Sequence, residues 1–320
     1  MADQRLPAES DIIARLRRIA PHPAARSLSD DAAVWLPPLG RELVLTHDAI
    51  AANVHYLPGD DPSDIAWKLV ATNLSDLAAK GATPRGVLLG LTFSQEDDRW
   101  TERFCDGLAR VLGEYDTALF GGDTIRADST TLGCTAIGDV EPGTSLARGG
   151  AMVGDDLYVT GSIGDAGLGL AAQRGDAPAD KYLQRRYRLP MPRLAMGQGL
   201  FRAGATAAMD VSDGLLIDAR RLAEASGIAI RLHLSDVPLS TEAAARLPSG
   251  TEGRLLAATA GDDYELLFSA PPSAADTLHS LGKATRTTLT RIGGIVAGAG
   301  LSIVSADGSE LRPERLGFEH

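Results

Sequence analysis

Six aspartates define the chemistry to be explained. Asp31, Asp48, Asp76, Asp123, Asp210 and Asp213 each sit at the end of an apolar run or inside one. A charge isolated in such surroundings neutralises itself or destabilises the fold, so each needs a partner. Recurrence in similar settings favours a shared partner over six unrelated structural roles. Hard oxygen donors without a His/Cys cluster select Mg²⁺ or Mn²⁺ over zinc. His47 and His55 are the only histidines close together in sequence, and H-E-x-x-H is absent.

Other chemistries lack their parts. There is no G-x-S-x-G elbow, no G-x-x-x-x-G-K-[ST] loop and no protein-kinase signature set. Lysine occurs only at Lys68, Lys80, Lys181 and Lys283. Any phosphate handled here must therefore be neutralised by metals and backbone amides, with Arg148 as the cationic helper. A formal net charge of -11 argues against a nucleic-acid partner. It is compatible with nucleotides, because carboxylates that hold divalent cations present those cations to phosphate. Cys105 and Cys134 have no paired spacing, which fits a reducing cytoplasm. The start has no apolar leader and no run approaches membrane-spanning length, so a soluble, unprocessed protein is expected.

The element best specified to position an acid is a helix over residues 65–82. On a 3.6-residue period Ile65, Leu69, Thr72 and Asp76 fall on one line. Ala66, Val70, Asn73 and Leu77 fall on the next, and Trp67, Ala71, Leu74 and Ala78 on a third, which leaves little surface for water. Ser63 or Asp64 is expected to cap it, and Lys80, Gly81 and Pro84 to end it. Asp76 then needs a metal ion or a neighbouring Arg, and Asn73 reads as a helix-to-loop hydrogen-bonder.

Around that helix the chain alternates. Residues 9–20 read as a helix capped by Ser10 or Asp11. Residues 29–35 read as an acidic pair leading into a strand, and 43–48 as a strand ending in Asp48, joined by a hairpin turn at 37–40. A strand over 86–93 and a helix over 100–115 follow. Residues 118–124 form a strand ending in Asp123, after a Gly121-Gly122 pair that lets a ligand approach the backbone. Residues 131–140 are another strand. This alternation predicts an α/β or α+β domain.

The Gly/Pro-rich stretch 141–153 is the boundary, giving domains 1–145 and 146–320, a size suited to two cores. Residues 157–169 read as strand, glycine turn and helix, but without G-x-G-x-x-G spacing. Residues 189–193 form a stiff bend before a helix. Asp210, Ser212 and Asp213 open a helix running to Ala225, as caps or as metal ligands. A Gly-Asp-Asp turn at 261–263 leads into a strand, and 289–304 supplies two closing strands.

Asp30-Asp31-Ala32-Ala33, Asn73-Leu74-Ser75-Asp76, Gly121-Gly122-Asp123-Thr124, Arg148, Asp210-Val211-Ser212-Asp213-Gly214 and Gly261-Asp262-Asp263-Tyr264-Glu265 occur in this order. With them the chain resembles the thiamine-monophosphate kinase family, of the aminoimidazole ribonucleotide synthetase-like superfamily. The resemblance implies ATP-dependent phosphorylation of thiamine monophosphate to thiamine diphosphate. It implies a two-domain α/β (α+β) fold: a homodimer that pairs its N-terminal sheets across the interface, with a C-terminal α/β domain in each copy. Carried over by position, Asp31, Thr46, His47 (through its backbone carbonyl), Asp48, Asp76, Asp123, Asp210 and Asp213 look like Mg²⁺ ligands, with Asp76 central. Gly122, Asp123, Arg148 and Ser212 look like ATP contacts, and His55, Asp262 and Phe318 like substrate contacts.

Four positions depart from the family pattern. Ser29 stands where Gly usually precedes the acid pair, His47 where Thr is common, Asp262 where Glu is usual, and Leu189 where Arg precedes the Pro-x-Pro-Arg bend. No general base is required by the implied reaction, because a phosphate monoester with a second pKa of about 6 is already largely dianionic at neutral pH. Two alternatives stand beside it. Other ATP-using superfamily members are disfavoured, since selenophosphate synthetase wants a reactive Cys near the N-terminus and the hydrogenase maturation factor a C-terminal Cys where this chain has His320. A catalytically silent Mg²⁺/nucleotide-binding module is the third reading.

Overall fold

A computed structural model describes residues 6–318. Residues 1–5, which begin the start read above as leaderless, and Glu319 and His320 at the end lie outside the described residues. The chain divides into two compact units: residues up to Leu77 with Thr83–Gly143, and Ala78–Ala82 with the residues from Thr144 on.

The first unit contains α1 (Glu9–Arg18), β1 (Glu42–Ala51), α2 (Pro62–Ala79) as far as Leu77, β2 (Thr83–Phe93), α3 (Asp98–Glu114), β3 (Ala118–Arg126) and β4 (Thr131–Val140). The sheet order is β1-β4-β2-β3. β4 runs antiparallel to both β1 and β2, while β2 and β3 are parallel, as a strand–helix–strand crossover requires. α2 is apolar nearly all round and is buried accordingly: Ala66, Leu69, Val70, Ala71, Leu74 and Leu77 are wholly inaccessible. Gly81 follows it in the left-handed conformation expected of a helix stop.

Local details depart from the sequence expectations. Asp61, not Ser63 or Asp64, caps α2: its Oδ1 accepts the Ser63 N–H at 3.0 Å, with Pro62 in the first helical position. Asp64 instead pairs with Arg110 at 3.2 Å. In α1, Asp11 lies inside the helix and reaches back to accept the Ala8 N–H at 3.1 Å. No strand forms over residues 29–35 and no hairpin at 37–40 joins them to β1. Pro37 and Pro38 have no N–H to give a ladder, and Arg26, Ser27 and Leu28 just upstream are left-handed, at φ 47, 55 and 46. β1 pairs with β4 instead, and it continues past Asp48 to Ala51, as β3 continues past Asp123 to Arg126. Both acids therefore sit inside strands, not at their ends.

The second unit contains β5 (Asp156–Thr160), α4 (Asp165–Arg174), α5 (Lys181–Arg188), α6 (Leu194–Leu200), β6 (Ala207–Val211), α7 (Leu215–Ser226), β7 (Ala229–His233), α8 (Thr241–Ala244), α9 (Thr251–Ala258), β8 (Glu265–Ala270), α10 (Ala275–Thr285), β9 (Leu289–Val296), β10 (Gly300–Val304) and β11 (Glu310–Leu311). Its mixed sheet has the order β11-β10-β7-β9-β5-β8-β6. β5 lies antiparallel to both β8 and β9, so the glycine turn after it is no part of a parallel dinucleotide-binding unit. Alternate residues of the strands feed two cores. Leu157, Val159 and Met209 join Leu215 and Leu222, while Tyr158, Ala208 and Phe268 join Met196 and Leu278. Among the described residues no helix is long and apolar enough to cross a membrane.

Candidate active site

In the N-terminal unit the sheet face beneath α2 gathers three of the expected residues. Thr46 Oγ1 donates to Asp76 Oδ2 at 2.5 Å, so strand β1 and helix α2 present two oxygen donors side by side. One turn earlier, the buried Asn73 accepts the Asp48 N–H at 2.9 Å and donates to the Leu69 carbonyl at 2.9 Å. Asn73 thus ties the helix to a strand rather than to a loop, and it fixes the backbone of Asp48 relative to Asp76.

Strand alternation separates the others. His47 points away from α2 and its Nδ1 lies 2.8 Å from Thr135 Oγ1. Residues paired across strands share a face. The rows Ala49–Gly133, Gly133–Gly90 and Gly90–Asp123 accordingly place Asp123 on the His47 side of the sheet, opposite Asp76. β1 and β3 are also the two edges, about 14 Å apart at three strand spacings. At Gly122, with φ 156, a Cβ would lie 2.1 Å from the Leu89 carbonyl oxygen of β2, so only glycine fits there. Asp31 is exposed in the turn after the left-handed residues, its N–H donating to Asp30 Oδ1 at 2.9 Å, and Asp30 pairs with Arg26. His55 Nδ1 accepts the Ala51 N–H at 3.1 Å, and its carbonyl takes the buried Lys68 ammonium at 2.8 Å.

In the C-terminal unit the expected residues converge on the opening of α7. Asp210 is buried in β6 and Asp213 begins the turn that follows. The Asp262 N–H donates to the Ser212 carbonyl at 2.7 Å, and the Phe318 N–H to the Asp213 carbonyl at 2.8 Å. Gly317 makes this possible, since a Cβ there would collide with the Asp213 carbonyl at 2.5 Å. The ring of Phe318 remains half exposed. Arg148 is exposed, and its carbonyl accepts from Ser226 at 3.4 Å.

Three acids beyond the expected set organise this region. Asp218, wholly buried, accepts the Ser212 and Asp213 N–H groups at 3.1 Å each. Arg221 bridges Asp213 at 2.5 Å and Asp218 at 2.8 Å. Burial, and then the nearby Asp213 charge, push the Asp218 carboxyl up to about 6 against the pull of Arg221. Asp263 accepts the Gly164 N–H at 2.8 Å, and burial raises its carboxyl well above the ordinary range. Glu265 is gripped by Arg193 at 2.5 and 2.7 Å, by Arg186 at 2.8 Å and by Thr160 at 2.6 Å. Asp218 carried the same signal as the six acids first singled out, an Asp inside the apolar run Leu215-Leu216-Ile217.

Cysteine chemistry is not built in. Burial raises the Cys105 thiol to about 11, and it raises the wholly buried Cys134 further. Among the described residues no group of three or more His, Cys, Asp or Glu side chains lies close enough to hold a metal ion. The donor chemistry of the Thr46–Asp76 pair, oxygen only, suits Mg²⁺ or Mn²⁺ better than zinc.

Comparison with known proteins agrees with this architecture. The model of the AIR synthase related protein N-terminal domain matches residues 29–140, and that of the C-terminal domain residues 152–305. A thiamine-monophosphate kinase of Caulobacter vibrioides is 41% identical over 322 residues, covering 98% of this chain and 91% of its own. The crystal structure of thiamine-monophosphate kinase from Stenotrophomonas maltophilia K279a is 37% identical with a TM-score of 0.82, covering 94% of this chain and 96% of its own. A structure of AaThiL complexed with AMPPCP and TMP is 26% identical with a TM-score of 0.77, covering 99% of each chain. The chain belongs to the thiamine-monophosphate kinase family of AIR synthase related proteins.

Proposed function

We propose that this chain transfers the γ-phosphoryl group of ATP directly, in line, to thiamine monophosphate, giving thiamine diphosphate and ADP. The observation that carries the reading is the Thr46–Asp76 pair, oxygen donors set at 2.5 Å by a buried helix, in a chain of this family. The relative complexed with AMPPCP, an ATP analogue, and TMP supports both ligands.

In the N-terminal unit Asp31, Thr46, Asp48, Asp76 and the His47 carbonyl, and Asp123 on the opposite face at the other edge, and in the C-terminal unit Asp210 and Asp213, would supply oxygens to separate Mg²⁺ ions. Bound Mg²⁺ offsets the repulsion between donor and acceptor phosphates and stabilises a loose transition state. The protein's own part is orientation. Asn73 and Thr46 hold Asp48 and Asp76 in place, and Gly122 lets β3 present its amides where Asp123 and Thr124 follow. Arg148 and Ser212 contact the nucleotide, while His55, Asp262 and Phe318 contact thiamine monophosphate. No residue is needed as general base, because the acceptor phosphate arrives ionised.

A second copy of the chain covers the outer face of the N-terminal sheet, where Leu43, Leu45, Leu88 and Ile125 are exposed and Asp123 lies. Two buried, unpaired cysteines suit the cytoplasm. Purified protein supplied with ATP, Mg²⁺ and thiamine monophosphate is expected to form thiamine diphosphate and ADP in equal amounts. Nucleotide binding without either product would leave the silent-module reading in its place.

A further inference from the structure

The turn that carries Asp262 is built in a way its sequence does not advertise. Asp262 and Tyr264 are both left-handed, at φ 69 and 51, although neither is glycine. Residues with a Cβ hold that conformation only where the surroundings over-determine it, and such positions cluster at functional sites. Here the surroundings do so. The Asp262 N–H donates to the Ser212 carbonyl at 2.7 Å and the Tyr264 N–H to the Val211 carbonyl at 2.8 Å. Asp263 is anchored on the N-terminus of α4 through the Gly164 N–H at 2.8 Å, and Glu265 is clamped between Arg186 and Arg193.

The two anchored acids alternate with the two left-handed residues. Asp262 and Tyr264 are thereby brought together, and the Tyr264 hydroxyl donates to Asp262 Oδ1 at 3.2 Å. A hydroxyl that donates to one carboxylate oxygen restricts the rotation of the whole carboxylate.

We infer that Tyr264 is a positioning residue, whose hydroxyl fixes the rotamer of Asp262 and so sets how that carboxylate meets the substrate. The inference rests on the proposed contact between Asp262 and thiamine monophosphate. Tyr264→Phe keeps the ring and removes only the donor. It is expected to raise KM for thiamine monophosphate roughly tenfold, the low end for one hydrogen bond to a charged group, with KM for ATP and the melting temperature unchanged. Asp262→Asn is expected to raise the same KM, and, if the positioning role is right, the double variant is expected to match Asp262→Asn alone. If Asp262→Asn raises KM and Tyr264→Phe does not, or if the two effects multiply in the double variant, the positioning role is overturned. If Asp262→Asn leaves KM at its wild-type value, the substrate contact itself is wrong and the inference falls with it.

Discussion

Replacing Thr46 with Val removes one hydroxyl from the centre of the N-terminal site and little else. Val is β-branched like Thr, so the strand preference of β1 is retained and no cavity opens. What is lost is the 2.5 Å hydrogen bond to Asp76 Oδ2, together with the hydroxyl oxygen proposed to reach Mg²⁺. Bonds to charged groups contribute about 1.5–3 kcal/mol, and the partial burial of both partners places this one at about 2 kcal/mol. If that energy serves to hold the carboxylate in its working orientation, kcat/KM for ATP should fall about thirtyfold, at 1.36 kcal/mol per factor of ten. Steady-state kinetics across a Mg²⁺ titration would measure it, alongside urea unfolding to register any change in stability. Thr46→Ser restores the hydroxyl and should recover most of the activity. Wild-type kcat/KM in Thr46→Val at limiting Mg²⁺ would refute the argument that this hydroxyl organises Asp76.

Three further perturbations test the frame around the site. Gly122→Ala pushes a methyl group against the Leu89 carbonyl, 2.1 Å from its Cβ position, and should cost about 3 kcal/mol in urea unfolding by forcing β2 and β3 apart; an unchanged midpoint would contradict that geometry. Asp139 is wholly buried, which alone would raise its carboxyl, but hydrogen bonds from Arg85 and Arg41 hold it below the ordinary range. A lowered folded value means its contribution is complete above about pH 4 and is lost as pH falls through that value. Asp139→Asn should therefore lose about 2–4 kcal/mol at pH 7, less than a fully buried pair because both arginines are partly exposed, with the gap to wild type closing in acid. Denaturant titrations at neutral and acid pH compare the two, and a gap independent of pH would sink the explanation. Leu45→Lys places a charge on the exposed outer face of the N-terminal sheet and should convert a dimer to a monomer in light scattering; a variant of wild-type mass would remove that face from the proposed interface.

The parts legible in the sequence were those with a strong local signal: α2 announced itself because apolar residues occupy nearly every side of it. The partners of these elements were not legible. β1 was expected to pair with a neighbour across Pro37-Pro38, whereas it pairs with β4, some ninety positions on, a choice made by the core and not by any local turn. The face on which Asp123 lies follows from register, and the ladder slips at Phe120, where β3 carries one residue more than β2. Period-two counting from Ala118 cannot find that slip. The acids themselves were legible, because a carboxylate inside an apolar run is conspicuous. Their supports, Asp218 beneath Ser212 and the Arg186–Glu265–Arg193 clamp, depend on contacts between distant segments.

α2 is the rigid element on which the account turns, and Asp76 is the one carboxylate it brings beside β1. Asp76→Asn preserves size and can still accept from Thr46, so the fold should survive while the anionic oxygen is lost. The direct measurement is thiamine diphosphate formed from ATP, Mg²⁺ and thiamine monophosphate by this variant, with circular dichroism verifying the fold on the same sample. A folded variant whose turnover is at least about a thousandfold below wild type is the predicted result, a loss of roughly 4 kcal/mol in transition-state stabilisation. Wild-type turnover in a folded Asp76→Asn protein would show that the carboxylate is structural and contradict the account.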